Sequence, residues 1–224
     1  MKILIYGATG MVGQGVLREA IHASDVNEIL CVGRRTVESA NAKVSNLIVG
    51  DLFDHDTIAP QITGFDACFF CIGTTSFGKS ESEYKRLTYD LTLTIAKGLL
   101  PQNPELNFVY VSGQGADSTE SGKIMWARVR GKLENSLLKL GFKSAHSLRP
   151  GYIQPLDGIK SKTALYRLPY AALGFAYPLL KKLFPNAICS TRTVGQAMLQ
   201  LARVGSGPRI LEAADINRLA SSHQ

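Results

Sequence analysis

The sequence predicts an α/β fold, a doubly wound parallel sheet with a small C-terminal lobe. Three observations carry the prediction. Short apolar runs alternate with helical stretches along the first two thirds of the chain, which is the pattern of successive βαβ units. The runs are apolar throughout, as strands covered on both faces are. A glycine-rich turn, Tyr6-Gly7-Ala8-Thr9-Gly10-Met11-Val12-Gly13, stands between the first run and the first helical stretch, where such sheets hold phosphate groups.

Taken in order, residues 3–6, 29–32, 47–49, 67–72, 108–111 and 145–148 read as six strands, and residues 12–22, 54–61, 82–100 and 123–140 as the helices between them. After Pro150 the pattern changes. Residues 152–187 mix turn residues with an apolar stretch, 165–180, that Arg167, Pro169 and Pro178 interrupt. The chain is therefore divided into a dinucleotide-binding core over 1–151, a substrate-side lobe over 152–190, and a C-terminal segment, 191–224. A last helix near 193–203 packs back on the sheet, and the final residues fray.

The length, 224 residues, suits one sizeable core. Lys and Arg outnumber Asp and Glu by 25 to 18, a formal charge of +7, which favours anionic partners such as phosphates. The basic residues are scattered, without the basic and aromatic stripe that tracks nucleic acid, so none is expected as a partner. The stretch 165–180 is too short and broken to span a membrane. An interfacial role for it is open, with core or pocket lining favoured.

A strand pattern from the second residue leaves no room for a secretory signal outside the fold, and Cys31, Cys68, Cys71 and Cys189 are too sparse for a disulfide framework. Both features point to the cytoplasm. Cys68 and Cys71 form a CxxC inside an apolar run, where residues three apart face opposite sides of a strand; buried apolar cysteine is the expectation. His22, His55, His146 and His223 show no metal-ligand spacing, and no metal is expected.

In the glycine turn, the first glycine permits a sharp bend, the second lets backbone approach a pyrophosphate, and the third lets helix pack on strand. The helix start then offers free N–H groups and a favourable dipole. An ordinary tight turn is the bland alternative. At the end of the second strand, where a carboxylate would accept the ribose hydroxyls of NAD, the chain reads Gly33-Arg34-Arg35. Two guanidinium groups there suit the 2′-phosphate of NADP, unless both are merely solvated. NADP is favoured over NAD.

These residues resemble the short-chain dehydrogenase/reductase superfamily, in its atypical or extended branch with epimerase-like, Tat-interacting-protein-like and NmrA-like NAD(P)-binding members. The likeness rests on Gly7, Gly10 and Gly13, on Asp51-Leu52, Cys71-Ile72-Gly73-Thr74, Val111-Ser112-Gly113 and Arg149-Pro150-Gly151, in that order. It implies a Rossmann fold with Thr9, Met11 and Val12 in the phosphate turn. It also implies Asp51 on the adenine amino group and Gly73 beside the adenosine ribose. Pro150, Gly151, Tyr152 and Ile153 would then line the nicotinamide end.

The family's working group is a serine followed in the next helix by Tyr and, four residues on, Lys. Ser112 holds the serine position, but the helix reads Trp126-Ala127-Arg128-Val129-Arg130. Trp126 stands for the Tyr and Arg130 for the Lys. An indole N–H is a very poor acid near neutral pH, while Arg130 can still hold a ribose hydroxyl and steady negative charge. Tyr84, Tyr89 and Tyr152 are candidate replacements or plain packing residues. A stray YxxxK at Tyr177 and Lys181 lies on the wrong side of the turn, with Pro178 inside it. Ser112 has no His–Asp set for hydrolysis.

Two function classes follow. One is an NADP(H)-binding oxidoreductase or epimerase-like enzyme with a modified site, acting on a small molecule. The other is a non-catalytic sensor whose dinucleotide occupancy changes its affinity for a protein partner.

Overall fold

The computed structural model describes residues 1–159 and 187–222. The stretch 165–180 and the Tyr177–Lys181 motif lie outside the described residues. The chain opens with β1 (Lys2–Tyr6), α1 (Met11–His22), β2 (Glu28–Gly33) and β3 (Val44–Ile48). It continues through β4 (Ala67–Phe70), α2 (Glu81–Lys85), α3 (Leu91–Leu99), β5 (Asn107–Val111), α4 (Met125–Leu138) and β6 (Ser144–Arg149). The remaining described elements are β7 (Tyr152–Gln154), β8 (Ile188–Ser190), α5 (Thr191–Val204), β9 (Ile210–Glu212) and α6 (Ala213–Ser221).

Seven strands form one sheet in the order β3-β2-β1-β4-β5-β6-β9, and every pair in it is parallel. The order reverses between β1 and β4, so the carboxyl ends of those two strands flank a crevice. The predicted doubly wound sheet is the one observed. Its strands carry core on both faces: Ile3, Ile5 and Phe69 pack with Val16, Ala20, Val194 and Met198, while Leu4, Tyr6 and Phe70 pack with Leu91, Ile95 and Leu133. Cys68 lies in the second cluster and Cys71 packs against the first, on opposite faces as their spacing predicts. Burial raises the thiol of Cys71 to about 12.

The structure corrects several boundaries. β3 starts at Val44, three residues before the predicted strand, because this edge strand pairs only with β2 and keeps Ser45 and Asn46 exposed. In place of a helix over 54–61 stand two short 3₁₀ turns, Leu52–Thr57 and Ala59–Gln61. Asp51 caps the first, accepting from Phe53 N, and Pro60 sits in the second. His55 anchors the segment by sharing a 2.7 Å hydrogen bond with the buried Tyr6 hydroxyl.

The helix predicted over 82–100 is interrupted by a widened π turn at Arg86–Asp90, bridged by a 2.7 Å contact from Lys85 Nζ to Asp90 Oδ1. Such turns are common beside functional sites. The sequence pattern gives the tail after residue 203 no element of its own and lets its end fray, yet β9 pairs with β6 and α6 follows as far as Ser221 with a reciprocal Glu212–Asp215 cap. Around the undescribed segment, Tyr152–Gln154 and Ile188–Ser190 form a second parallel pair. Helix α5 joins the same core as α1. Among the described residues no helix is long and apolar enough to cross a membrane.

Candidate functional site

Two adjoining cavities run along the carboxyl ends of the central strands. The smaller is lined by Gly7, Thr9, Gly10, Arg34, Arg35, Leu52, Cys71 and Gly73, among others. The larger, of about 760 Å³, reaches past Met11, Val12 and Thr74 to Ser112, Trp126, Arg130, Pro150, Gly151 and Ile153. They share Thr9, Gly10, Arg35, Cys71, Ile72 and Gly73, so the two form one cleft across the topological switch point. The structure thus brings together nearly all the residues singled out from sequence.

Of the residues assigned to the site three stay out of the lining, Gly13, Asp51 and Tyr152, and so does the candidate Tyr89. Gly13 acts through packing, since a Cβ there would lie 2.1 Å from the Gly7 carbonyl oxygen. Asp51 is exposed, with Oδ1 capping the turn at Phe53 N, 3.0 Å away. The Tyr152 hydroxyl donates to Gln154 Oε1 at 2.8 Å.

The glycine turn is shaped for an anion. Gly7 has φ +83°, and a Cβ on it would meet backbone of Cys71 and Ile72 at 2.8 Å; only glycine fits both demands. Gly10 caps α1 without any side chain. The amides of Met11, Val12 and Gly13 have no acceptor among the described residues, and no acidic residue occupies the first turn. Free amides at the positive end of a helix dipole suit a diphosphate. A Cβ on Gly73 would meet nothing within 4 Å, which leaves room over that backbone. These residues fit a dinucleotide.

Farther along the cleft, β5 and β6 are stitched by Ser112 N to Leu148 O at 2.8 Å and Gln114 N to Pro150 O at 3.0 Å. The Ser112 hydroxyl, itself buried, donates to Glu134 Oε1 at 2.5 Å. Glu134 is fully buried and paired with Arg149, whose Nε lies 3.1 Å from Oε1 and whose Nη2 reaches Oε2. Arg149 also donates to Ser118 Oγ at 2.6 Å and to Glu212 Oε1 at 3.2 Å. Sequence reasoning does not single out Glu134, although a signal exists: Trp126, Arg130 and Glu134 are four apart and share one face of α4.

Arg130 turns its Nε onto the Tyr84 hydroxyl, 2.9 Å away. Burial works against its charge, but Tyr110, Tyr84 and Glu134 together hold its pKa above the ordinary value. Of the three candidate tyrosines, only Tyr84 lines the larger cavity. Tyr89 binds Ser136 Oγ at 3.0 Å on another face.

The family model described as NAD(P)H-binding matches residues 7–141, from the glycine turn through the end of α4 and beyond. The chain belongs to this NAD(P)H-binding family. Protein fmp52, mitochondrial, of Emericella nidulans is 29% identical over 188 residues, covering 80% of this chain and 79% of that protein. Protein HTATIP2 of Rattus norvegicus is 29% identical over 155 residues, 68% of this chain and 62% of its own length. A short chain dehydrogenases/reductase structure from Saccharomyces cerevisiae superposes with a TM-score of 0.68 at 15% identity, covering 98% of both chains.

Family membership makes this an NAD(P)H-binding protein, and its likeness to the short-chain dehydrogenase/reductase structure, at 15% identity, is one of fold. The cytoplasmic expectation finds no support in these relatives, one of which carries the word mitochondrial in its name.

Proposed function

We propose that this chain binds NADP(H) in preference to NAD(H) and presents the cofactor to a small carbonyl compound in a site where Trp126 and Arg130 replace the usual Tyr and Lys. One observation carries the cofactor choice. Arg34 and Arg35 line the adenosine end of the cleft, both are exposed, and neither has an ion-pair partner among the described residues. Two unpaired guanidinium groups there favour a 2′-phosphate over a free ribose diol.

In this reading the amides of Met11 and Val12 hold the diphosphate, Gly73 passes beside the ribose, and Asp51, next to Leu52 of the lining, offers its Oδ2 to the adenine amino group. Pro150, Gly151 and Ile153 bound the nicotinamide end. A bound reduced nicotinamide would supply a hydride; Ser112 bounds the place of the acceptor, and Arg130 steadies the charge that develops on it.

The sensor reading has its own support. The Ser112 proton is already engaged by Glu134, and an indole stands where an acid is expected, so occupancy without turnover is a coherent alternative.

The experiment is a comparison of the Arg34→Ala/Arg35→Ala double variant with the parent chain, by fluorescence titration with NADPH and NADH. The double variant loses roughly ten- to hundredfold in NADPH affinity, the scale of one or two charge-assisted hydrogen bonds, and little in NADH affinity. Equal loss for both nucleotides contradicts the assignment. Consumption of NADPH by any carbonyl contradicts the purely non-catalytic alternative.

A further inference from the structure

We infer that Tyr84 is the acid of this site, standing in from a different helix for the tyrosine that Trp126 displaces. The inference rests on the carbonyl-reducing reading above and adds to it the group that supplies the proton.

The placement is specific. Tyr84 is 1% exposed, and it lines the larger cavity together with Ser112, Trp126 and Arg130. Its hydroxyl oxygen accepts a hydrogen bond from Arg130 Nε at 2.9 Å. That leaves the phenol's own proton, which no acceptor among the described residues takes. A hydroxyl whose oxygen is held by a cation and whose proton is uncommitted, at the wall of a cavity, is poised to donate. Trp126 offers only an indole N–H, and the Ser112 proton is engaged by Glu134.

Charges around the phenol agree. From α4 it meets Arg130; Glu134 lies farther along that helix, where Arg149 balances it. From β5 comes the phenol of Tyr110, which burial pushes up to about 12 and so keeps neutral. On its own helix the ionic groups pair away from the cavity: Glu81 with Arg128 at 2.7 Å, Glu83 with Lys79 at 3.1 Å, and Lys85 with Asp90 at 2.7 Å. Arg130 is thus the unbalanced charge beside the phenol, placed to stabilise the oxyanion left behind.

The step balances. A carbonyl carbon gains the hydride released from a reduced nicotinamide, the C=O π pair moves onto oxygen, and the Tyr84 O–H bond breaks to protonate that oxygen. The products are an alcohol, the oxidised nicotinamide and a phenolate beside Arg130, which regains its proton from water.

The test uses the full chain and 4-nitrobenzaldehyde as the carbonyl probe. Tyr84→Phe stays folded, with a melting temperature lower by roughly 2–4 °C for the lost Arg130 hydrogen bond, keeps the NADPH affinity of the parent, and reduces the aldehyde at least a hundredfold more slowly, the usual contribution of a general acid. A readout without cofactor accompanies it. In protein labelled with carbon-13 at tyrosine Cζ, the resonance missing in Tyr84→Phe moves in Arg130→Met at fixed pH. Turnover by Tyr84→Phe at the parental rate overturns the role of Tyr84 alone, and a Tyr84 resonance indifferent to Arg130→Met overturns the pairing. A parent chain that binds NADPH but leaves the aldehyde untouched instead overturns the carbonyl-reducing reading, and the acid role with it.

Discussion

The hydroxyl of Ser112 donates to Glu134 across 2.5 Å, inside the buried pair that Glu134 forms with Arg149. Three elements meet there: the end of β5, the middle of α4 and the end of β6. A buried carboxylate survives only when its charge is met and its lone pairs are occupied, and here a guanidinium and a hydroxyl do both. Ser112 consequently presents its lone pairs, not its proton, to the cleft.

Glu134→Gln tests this arrangement. Removing the buried carboxylate leaves Arg149 only the half-exposed Glu212 as counter-charge, a change that costs up to about 3 kcal/mol. Ser112→Ala removes one hydrogen bond and costs about 1 kcal/mol. Urea unfolding of the two variants measures both. A Glu134→Gln protein that unfolds at the parental urea concentration would show the pair to be unimportant for stability.

Two glycines of the cleft separate packing from binding. Gly13→Ala forces a Cβ to within 2.1 Å of the Gly7 carbonyl oxygen, so α1 must move off β1, and both melting temperature and nucleotide affinity fall. Gly73→Ala meets nothing within 4 Å; the melting temperature stays and only nucleotide affinity drops, because the methyl group occupies space over the bound ribose. A Gly73→Ala protein with full affinity would remove Gly73 from the contact.

His146 gives a pH signature. Burial lowers its pKa from the ordinary 6.5, with Nδ1 against Pro208 O at 2.7 Å and Nε2 buried without a partner among the described residues. The unfolded chain therefore binds the proton more readily than the folded one. The stabilising contribution is complete above about pH 6.5 and is lost as the pH falls from there through the lower folded value. Urea unfolding at several pH values measures it: His146→Gln has a flatter stability profile below pH 6.5 than the parent. Parallel profiles for the two proteins contradict the burial argument.

Strands that are apolar on both faces declare themselves in one dimension: β1, β2, β5 and β6 fell where their runs lie, and β4 ended at Phe70, two residues short of its run. Elements decided by long-range partners did not. β9 has three residues and exists because Ser147, Leu148 and Arg149 offer it an edge. β3 hides behind Ser45 and Asn46, and the stretch after Asp51 became 3₁₀ turns through a cap and a proline rather than through periodicity.

The same division applies to the cleft. The glycine turn and the two arginines are local patterns. The contact of Tyr84 with Arg130 and the engagement of Ser112 by Glu134 bridge 46 and 22 residues, distances that only the folded sheet brings to nothing.

What Arg34 and Arg35 do at the end of β2 is reached directly by one measurement: calorimetric titration of the unmodified chain with NADP⁺ and with NAD⁺ at the same ionic strength. The expected result is tighter binding of NADP⁺ by about tenfold or more, equivalent to about 1.4 kcal/mol, with the difference shrinking as salt is raised. Equal affinities, or tighter binding of NAD⁺, would contradict it.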